Sequence, residues 1–310
     1  MIRVGILTTW GDRCGTSEHA RHIVQHAKDP EVSIQIVPAP VSQFAQGIGK
    51  QFDIVHVNES GWILQGFQHR HIQQIRSRGS KVMLTMNASC PTNNKNPYTN
   101  LFDQVVIFEP HTDDGFAYVP IGAPVLGDGV VNPVSNWIGT NGFPQERKNL
   151  LNLAHACQCL GYGLYAFIPE SPHANAGLVA SQIRQINPIA ECVTRWVTDD
   201  EMLDAFTKCT ATCYPYLEWF QGSSSAVMAG VSARRPIIVS RASQFDFLFQ
   251  KTDEVYFIES ARPTADEITA GLQAAIDDGF RKVPHGVYEE HRWDRVGQRY
   301  IEVYKELARR

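Results

Sequence analysis

The residues best suited to chemistry form a short glycine- and serine-rich segment: Gly222, Ser223, Ser224 and Ser225. The segment follows an apolar run that ends at Tyr216, and it precedes small residues over 226–233 and an apolar run over 236–239. This order predicts a strand, a loop, a helix that begins at the serines, and a further strand. A helix N-terminus presents unpaired N–H groups and a positive dipole end, so it suits a pyrophosphate. Capping of a purely structural helix is the alternative.

Two basic residues lie where a second helix is predicted to begin. Arg147 and Lys148 follow a predicted strand over 134–139 and a loop over 140–143, and their helix is expected to run to about Leu160. A lysine at this point can reach a bound phosphate as a point charge. A solvated lysine in the first turn of a helix is the alternative.

Polar residues and one glycine lie at the predicted carboxyl ends of strands in the first half of the chain. They are Gly15, Thr16, His56, Asn58, Glu59 and Asn87. The strands concerned are predicted over 3–8, 52–57 and 81–86, and a helix over 17–28 follows the first. Ligands bind at this edge of parallel sheets, although the loop lacks the GxGxxG spacing of a dinucleotide site. For His56, a structural histidine with satisfied ring nitrogens is the alternative.

Strands and helices alternate twice along the chain, on either side of a Gly/Pro-rich linker at 122–133. This pattern predicts the α/β class, with two Rossmann-like, doubly wound domains that face each other across a cleft. The last helix, expected over 289–307, carries one apolar face. Its residues are Trp293, Val296, Tyr300, Val303, Tyr304 and Leu307.

The composition excludes several classes of protein. The 310 residues are 43% hydrophobic and 19% charged, as in soluble globular proteins. A net charge of −4 gives no reason to expect nucleic acid or an anionic membrane as partner. No apolar run reaches the roughly 18 residues that span a bilayer, and the N-terminus predicts a strand rather than a signal peptide. The seven scattered cysteines favour a reducing, cytoplasmic location without a zinc site.

One basic cluster stands out on the helix predicted over 61–78. It comprises His69, Arg70, His71, Arg76, Arg78 and Lys81. A solvated helix face is the favoured interpretation. A surface for an acidic acceptor, a membrane or a polynucleotide is the alternative, so peripheral membrane association stays open.

Five segments, in order along nearly the whole chain, resemble the retaining glycosyltransferases of the GT-B fold, family 4 type. They are the glycine loop and first helix at 14–21, the start of the second domain at 139–149, the stretch at 191–214 with its Pro-Tyr dipeptide, the donor loop and helix at 222–238, and the final helix with Trp293 and Tyr304. The resemblance implies an acceptor-side domain over 1–125, a nucleotide-sugar domain over 126–288, and a helix over 289–310 that crosses back to the first domain.

The resemblance also implies a function: transfer of a sugar from a nucleotide diphosphate to an acceptor hydroxyl, with retention and with no metal or other cofactor. The implied catalytic residues are Lys148, Arg147, His56 and Gln221. The implied donor-binding residues are Gly15, Thr16, Gly142, Phe143, Tyr216, Gly222, Ser223, Ser224 and Ser225. Asn58, Glu59 and Asn87 would lie on the acceptor side. The acceptor itself stays open among a lipid, a protein, a small molecule and a modified nucleic-acid base, and no stable membrane insertion is expected.

The sequence departs from the family pattern at the donor loop. Family members carry two glutamates eight positions apart, near the donor sugar and the ribose. Here Gln221 and Ala229 occupy those positions, Glu218 lies close to the first, and Arg234 replaces a glycine. The donor nucleotide is therefore left open.

Two other functions remain compatible with the same plan. A sugar-nucleotide epimerase or phosphorylase would need an acid/base pair, for which Glu59, Glu109 and His111 are the candidates. A degenerate relative would bind a nucleotide or a polymer without turnover, and the missing glutamate favours that alternative.

Overall fold

The structure is a computed structural model that describes residues 1–8, 14–37, 51–58, 69–86, 101–108, 116–125, 136–171, 174–218, 224–249 and 252–310. The chain forms two compact units. One comprises Met1–Gly122 with Trp293–Arg310, and the other comprises Ala123–Phe220 with Ser224–Arg292. The sequence had suggested divisions after residues 125 and 288.

Twelve strands and ten helices are described. The strands are β1 (Ile2–Leu7), β2 (Val32–Val37), β3 (Ile54–Asn58), β4 (Lys81–Met86), β5 (Gln104–Ile107), β6 (Ala117–Tyr118), β7 (Trp137–Asn141), β8 (Gly163–Phe167), β9 (Glu191–Val193), β10 (Ala211–Tyr214), β11 (Ile237–Ser240) and β12 (Tyr256–Ile258). The helices are α1 (Gly15–His26), α2 (His69–Ser77), α3 (Leu150–Cys159), α4 (Ala176–Ile186), α5 (Asp199–Lys208), α6 (Ser225–Ser232), α7 (Ser243–Phe249), α8 (Ala265–Asp277), α9 (His285–His291) and α10 (Trp293–Arg309).

The first unit is built on a parallel sheet in the order β2-β1-β3-β4-β5-β6. Its inner strands β3, β4 and β5 are buried almost throughout because both faces of the sheet are covered. One face packs on α1 and α10 through a core that includes Ile6, Ile23 and Ile301. The other face, which includes Val55 and Leu84, packs on α2.

The second unit repeats this plan with a parallel sheet in the order β12-β11-β10-β7-β8-β9. Residues from α3, α4 and α8 fill the core on one face, among them Leu153, Ile183 and Leu272. On the other face, α5 and α6 contribute Phe206 and Ala229 to a smaller cluster. The predicted α/β class with two doubly wound sheets is confirmed.

The predicted last helix is right in its packing and wrong in its length. The apolar face is buried as expected, since Trp293, Tyr300 and Tyr304 are each at most 3% exposed. The helix expected over 289–307 is in fact two helices, because Arg292 between α9 and α10 has an extended backbone with ψ of 135°. Helical spacing of apolar residues continues across the break, so the pattern alone did not reveal it.

Candidate functional site

Lys148 is buried at the carboxyl edge of the second sheet. It ends a single turn of 3-10 helix, Glu146–Lys148, rather than beginning α3 as predicted. Asn149 separates the two helices with a left-handed backbone, φ 56° and ψ 33°, and its Nδ2 donates a hydrogen bond to the Pro263 carbonyl at 2.7 Å. This turn directs the lysine inward instead of into solvent.

The side-chain amino group of Lys148 faces an aromatic ring and, within the described residues, no carboxylate. The side chain is 7% exposed, and Nζ lies 3.6 Å from the ring centre of Tyr216. Within the described residues, the ammonium has neither an ion pair nor a hydrogen bond. Burial, followed by the nearby charge of Arg147, holds the pKa of Lys148 well below its usual value. A buried cation without a counter-ion is costly, so this position is suited to an anion that a ligand brings.

Gly142 brings the end of β7 against this lysine and against α6. Its φ of 129° is disfavoured for residues with a side chain. A Cβ at this position would lie 3.2 Å from Lys148 Cε, 3.4 Å from Nζ and 3.7 Å from the Ala226 Cβ. Lys148, the β7 loop and the first turn of α6 therefore meet at one place.

The N-terminus of α6 has the positive end of a helix dipole and lacks an acidic residue of its own. Its first turn has no acidic residue, and Ser224 gives the helix no side-chain cap. The Ser224 hydroxyl instead hydrogen-bonds with Tyr216. By contrast, α5 and α8 each have acidic first turns and complete capping boxes. The first turn of α6 thus presents N–H groups beside the Lys148 ammonium.

Two buried tyrosines next to Lys148 are held in place by hydrogen bonds to Asn141. Tyr214 Oη donates to Asn141 Oδ1 at 3.0 Å, and Tyr216 Oη donates to the Asn141 carbonyl at 3.4 Å. The sequence interpretation missed Asn141 as a functional residue. The available signal was the one used for Asn58, an amide at the end of a buried strand.

Arg147, Phe143 and Trp196 lie near the same edge of the sheet. Arg147 is half-buried; its Nε donates to Gln145 Oε1 at 2.7 Å, and its carbonyl accepts from the Leu217 amide at 2.8 Å. The rings of Phe143 and Trp196 have centres 6.2 Å apart at 44°. Trp196, in the loop between β9 and α5, was missed because a tryptophan among charged residues carries no motif.

Three predicted residues of the donor loop, Gln221, Gly222 and Ser223, lie outside the described residues. The described residues before them end at Glu218, whose carboxylate accepts hydrogen bonds from the Ser243 amide at 2.8 Å and from the Ser243 hydroxyl at 2.6 Å. Glu218 therefore caps α7. Ala229 is 2% exposed within the apolar cluster of Phe206, so the second glutamate position is closed.

In the first unit, Gly15 and Thr16 begin α1 next to β1 and β3. The Thr16 carbonyl accepts hydrogen bonds from Asn58 Nδ2 at 2.7 Å and from Thr8 Oγ1 at 3.4 Å. Because Asn58 is fully buried, it holds the start of α1 and has no exposed group for an acceptor. Glu59 and Asn87, its predicted neighbours on the acceptor side, lie outside the described residues.

His56, predicted to lie at the sheet edge beside the sugar, is a core residue in the structure. It is fully buried between β4 and α10, with Nδ1 2.7 Å from Tyr304 Oη and Nε2 2.7 Å from Thr85 Oγ1. Desolvation, with a contribution from His19, lowers the pKa of His56 to about 3. A neutral imidazole with both nitrogens satisfied stabilises the core, so we leave His56 out of the site.

The described ranges contain neither a metal-binding cluster nor a helix able to span a membrane. No group of histidine, cysteine or acidic side chains there could hold a metal ion. In the same part of the chain, no helix has the length and apolarity needed to cross a bilayer. The cytoplasmic location stays a prediction.

Solved structures share this fold across the whole chain. The chain is similar to a glycosyltransferase from Rickettsia africae ESF-5 at 9% identity and a TM-score of 0.71, covering 99% of this chain and 98% of that one. It is similar to the Anabaena protein HepE in complex with UDP-glucose at 10% identity and 0.69, covering 99% and 100%. It is also similar to sucrose-phosphate synthase from Thermosynechococcus elongatus at 12% identity and 0.71, covering 99% of each chain.

These likenesses establish the fold, which is the GT-B fold of glycosyltransferases. No protein-family model matches the sequence, and no curated protein matches it.

Proposed function

We propose that the protein transfers a sugar from a nucleotide-diphosphate donor to an acceptor hydroxyl with retention of anomeric configuration, as in the family 4 type. The observation that carries this proposal is Lys148. Its side-chain amino group is buried, has no anionic partner among the described residues, and lies beside Gly142 and the uncapped start of α6. A diphosphate is the ligand that matches both groups.

In the proposed reaction, the bond between the anomeric carbon and the diphosphate oxygen breaks. Negative charge grows on the departing diphosphate while the sugar becomes oxocarbenium-like. Lys148 and the amides of Ser224 and Ser225 would stabilise that charge, and Arg147 would add a second cation. Preorganised positive groups of this kind typically contribute a factor of about 100 to 1,000 each in rate. The acceptor oxygen then bonds to the anomeric carbon on the face that the diphosphate leaves, and its proton passes to the diphosphate.

Tyr216 and Asn141 would position this site and remain outside the reaction. Tyr216 supports the Lys148 ammonium with its ring and hydrogen-bonds with Ser224 through its hydroxyl. The same tyrosine thus fixes both groups that we expect to bind the diphosphate. The solved complex of HepE with UDP-glucose, a structure of the same fold, supports a nucleotide sugar as the partner.

Several parts of the proposal come from the sequence alone. Gln221, Gly222 and Ser223 would complete the donor loop, and Gln221 would hold sugar hydroxyls. Glu59 and Asn87 would lie on the acceptor side. Positive charge from Lys148 and Arg147 would take the place of a metal ion at the diphosphate. The acceptor and the donor nucleotide are left open.

The test is incubation of the protein with a panel of UDP-, GDP- and ADP-sugars, while release of nucleoside diphosphate is followed. We expect slow hydrolysis of one donor with water as acceptor, and faster release once a suitable acceptor is present. An altered sugar on an intact donor would instead identify an epimerase. Tight binding without turnover, even with acceptor mixtures, would identify a nucleotide-binding relative.

A further inference from the structure

A second concave surface of the second unit shares no residue with the lysine site. It is an open groove of about 400 Å³ on the face of the sheet beside α5. Residues from β7, β8 and β9 form its floor, and charged residues of α5 and the β9 loop form its rim. The residues that matter most are Trp137, Tyr165, Phe167, Glu191, Arg195 and Lys208.

The floor of the groove is aromatic. Strand pairing places Trp137 beside Gly163, Tyr165 beside Glu191, and Phe167 beside Val193. The Trp137 and Tyr165 ring centres are 6.1 Å apart at 70°. A Cβ on Gly163 would come within 2.6 Å of the Trp137 ring, so the glycine lets the indole lie across β8. Trp137 and Tyr165 are only half-buried, which leaves ring surface open to a ligand.

The rim carries charges that largely cancel. Arg195 pairs with Glu201 at 2.5 Å, and Lys208 pairs with Asp204 at 2.6 Å. Glu191 is exposed and has no ion pair within the described residues. A strongly anionic or cationic ligand would therefore meet a like charge on this rim as well as an opposite one.

The edge of the sheet at β9 does not favour an added peptide strand. The Arg184 guanidinium donates a hydrogen bond to the Cys192 carbonyl at 3.0 Å, so this edge group is already satisfied. Strand addition depends on free backbone groups along such an edge.

We propose that this groove binds a neutral oligosaccharide. A sugar ring offers an apolar face of C–H groups to the aromatic floor, and its hydroxyls can both donate to carboxylates and accept from Arg195 and Lys208. It adds no net charge to a rim whose charges are already paired. The volume lies within the range of small-molecule sites, about 300–1,000 Å³. The proposal goes beyond transfer at Lys148 and does not depend on it.

The experiment titrates short neutral glucans, galactans, mannans and xylans into the full chain, with binding measured by calorimetry and NMR. We expect one class to bind with millimolar or better affinity. Tyr165→Ala should weaken that binding by about tenfold, the scale of one lost aromatic contact. Glu191→Ala, at an exposed position that does not threaten folding, should weaken it severalfold.

Two control variants separate this site from its surroundings. Ile189→Ala changes an apolar side chain that is 58% exposed and outside the groove, and it should leave binding unchanged. Lys148→Met should also leave it unchanged, even if it abolishes sugar transfer. The proposal is overturned by the absence of binding across the whole panel, or by binding that Lys148→Met removes and the groove variants keep. Tighter binding of a lysine-rich peptide that depends on Glu191 would also overturn it, because the groove would then serve a protein partner.

Discussion

Each unit buries an ionisable side chain beside its sheet, and the two side chains differ in their hydrogen-bond partners. In the first unit, His56 shares hydrogen bonds with Tyr304 and Thr85 and is held neutral. In the second unit, Lys148 is nearly as buried, yet the described residues offer it only the Tyr216 ring. A buried polar group with all its partners is explained by the stability of the fold. A buried polar group without partners among the described residues is the basis of our proposal that a ligand binds at Lys148.

The comparison predicts that replacing Lys148 lowers turnover, whereas disturbing His56 lowers stability. Lys148→Met should lower donor turnover by about 100-fold or more, equivalent to about 2.7 kcal/mol of transition-state stabilisation. The free energy of unfolding should not fall, because an apolar side chain replaces a buried, unpaired amine. Steady-state kinetics and urea denaturation measure the two effects.

The matched control for this variant is Lys282→Met. Lys282 also lies over a tyrosine ring, with Nζ 5.2 Å from the ring centre of Tyr256, but it is exposed. Its replacement should leave turnover unchanged. Equal turnover in the two variants would remove Lys148 from the site.

Removal of one hydrogen-bond partner of His56 should lower stability and leave turnover unchanged. Tyr304→Phe deletes the hydroxyl at His56 Nδ1 and leaves a buried nitrogen unsatisfied, which should cost about 1–3 kcal/mol of unfolding free energy. Turnover per folded molecule should stay the same. Tyr162→Phe, at a partly exposed ring, is the control and should cost less than about 0.5 kcal/mol. A loss of turnover without loss of stability would return His56 to the catalytic residues.

The pH dependence of the unfolding free energy should also reflect the burial of His56. The pKa of His56 is about 3 in the folded protein and 6.5 as the ordinary value, so the folded state binds fewer protons between these limits. The contribution of neutral His56 to the unfolding free energy is complete above about pH 6.5. It is lost as the pH falls towards 3, at about 1.4 kcal/mol per pH unit. Urea denaturation of the wild type and His56→Leu should show this difference in slope. His155→Leu, at an exposed helix position, should keep the wild-type slope.

Lys148 should take up a proton when a nucleoside diphosphate binds. Burial lowers the pKa of Lys148 in the free protein, and a bound anion would raise it again. At a pH above the lowered pKa, we expect uptake of a fraction of a proton, up to about one, per nucleotide. Calorimetry in two buffers of different ionisation enthalpy measures this number. Lys148→Met should reduce it to near zero, and an unchanged value would assign the proton to another group.

The smallest effect is expected at Ser224. We attribute phosphate binding to backbone amides of α6, and the hydroxyl of Ser224 is occupied by Tyr216. Ser224→Ala should therefore change donor affinity by less than about threefold, below about 0.7 kcal/mol. A loss of tenfold or more in a nucleotide titration would show that the hydroxyl itself holds the ligand.

The fold was predictable because the inner strands are apolar runs and the final helix has one apolar face. The predictions that were wrong or missing concern features that depend on residues far apart in the sequence. The helix α7 was missed since its cap, Glu218, comes from a loop 25 residues earlier in the chain. His56 was assigned to the sheet edge because its partner Tyr304 lies 248 residues away.

In the candidate site, too, some features were predictable from the sequence and others were not. The resemblance pointed to Lys148, Gly142 and the start of α6, and the structure brings these three together. The sequence could not show that Lys148 is buried, because this depends on the left-handed turn at Asn149 and on the Tyr216 ring. The aromatic groove was not foreseen either, since its residues come from three strands and a helix.

The packing of Ala229 has a consequence for protein engineering. Reinstating the family's second glutamate there would look like a repair of the ribose contact. Ala229 is closed in by Phe206 and Leu203, so the new carboxylate would enter an apolar interior instead of meeting a nucleotide. Redesign for a different donor should begin from the loop side chains around Phe143 and Trp196 and leave α6 intact.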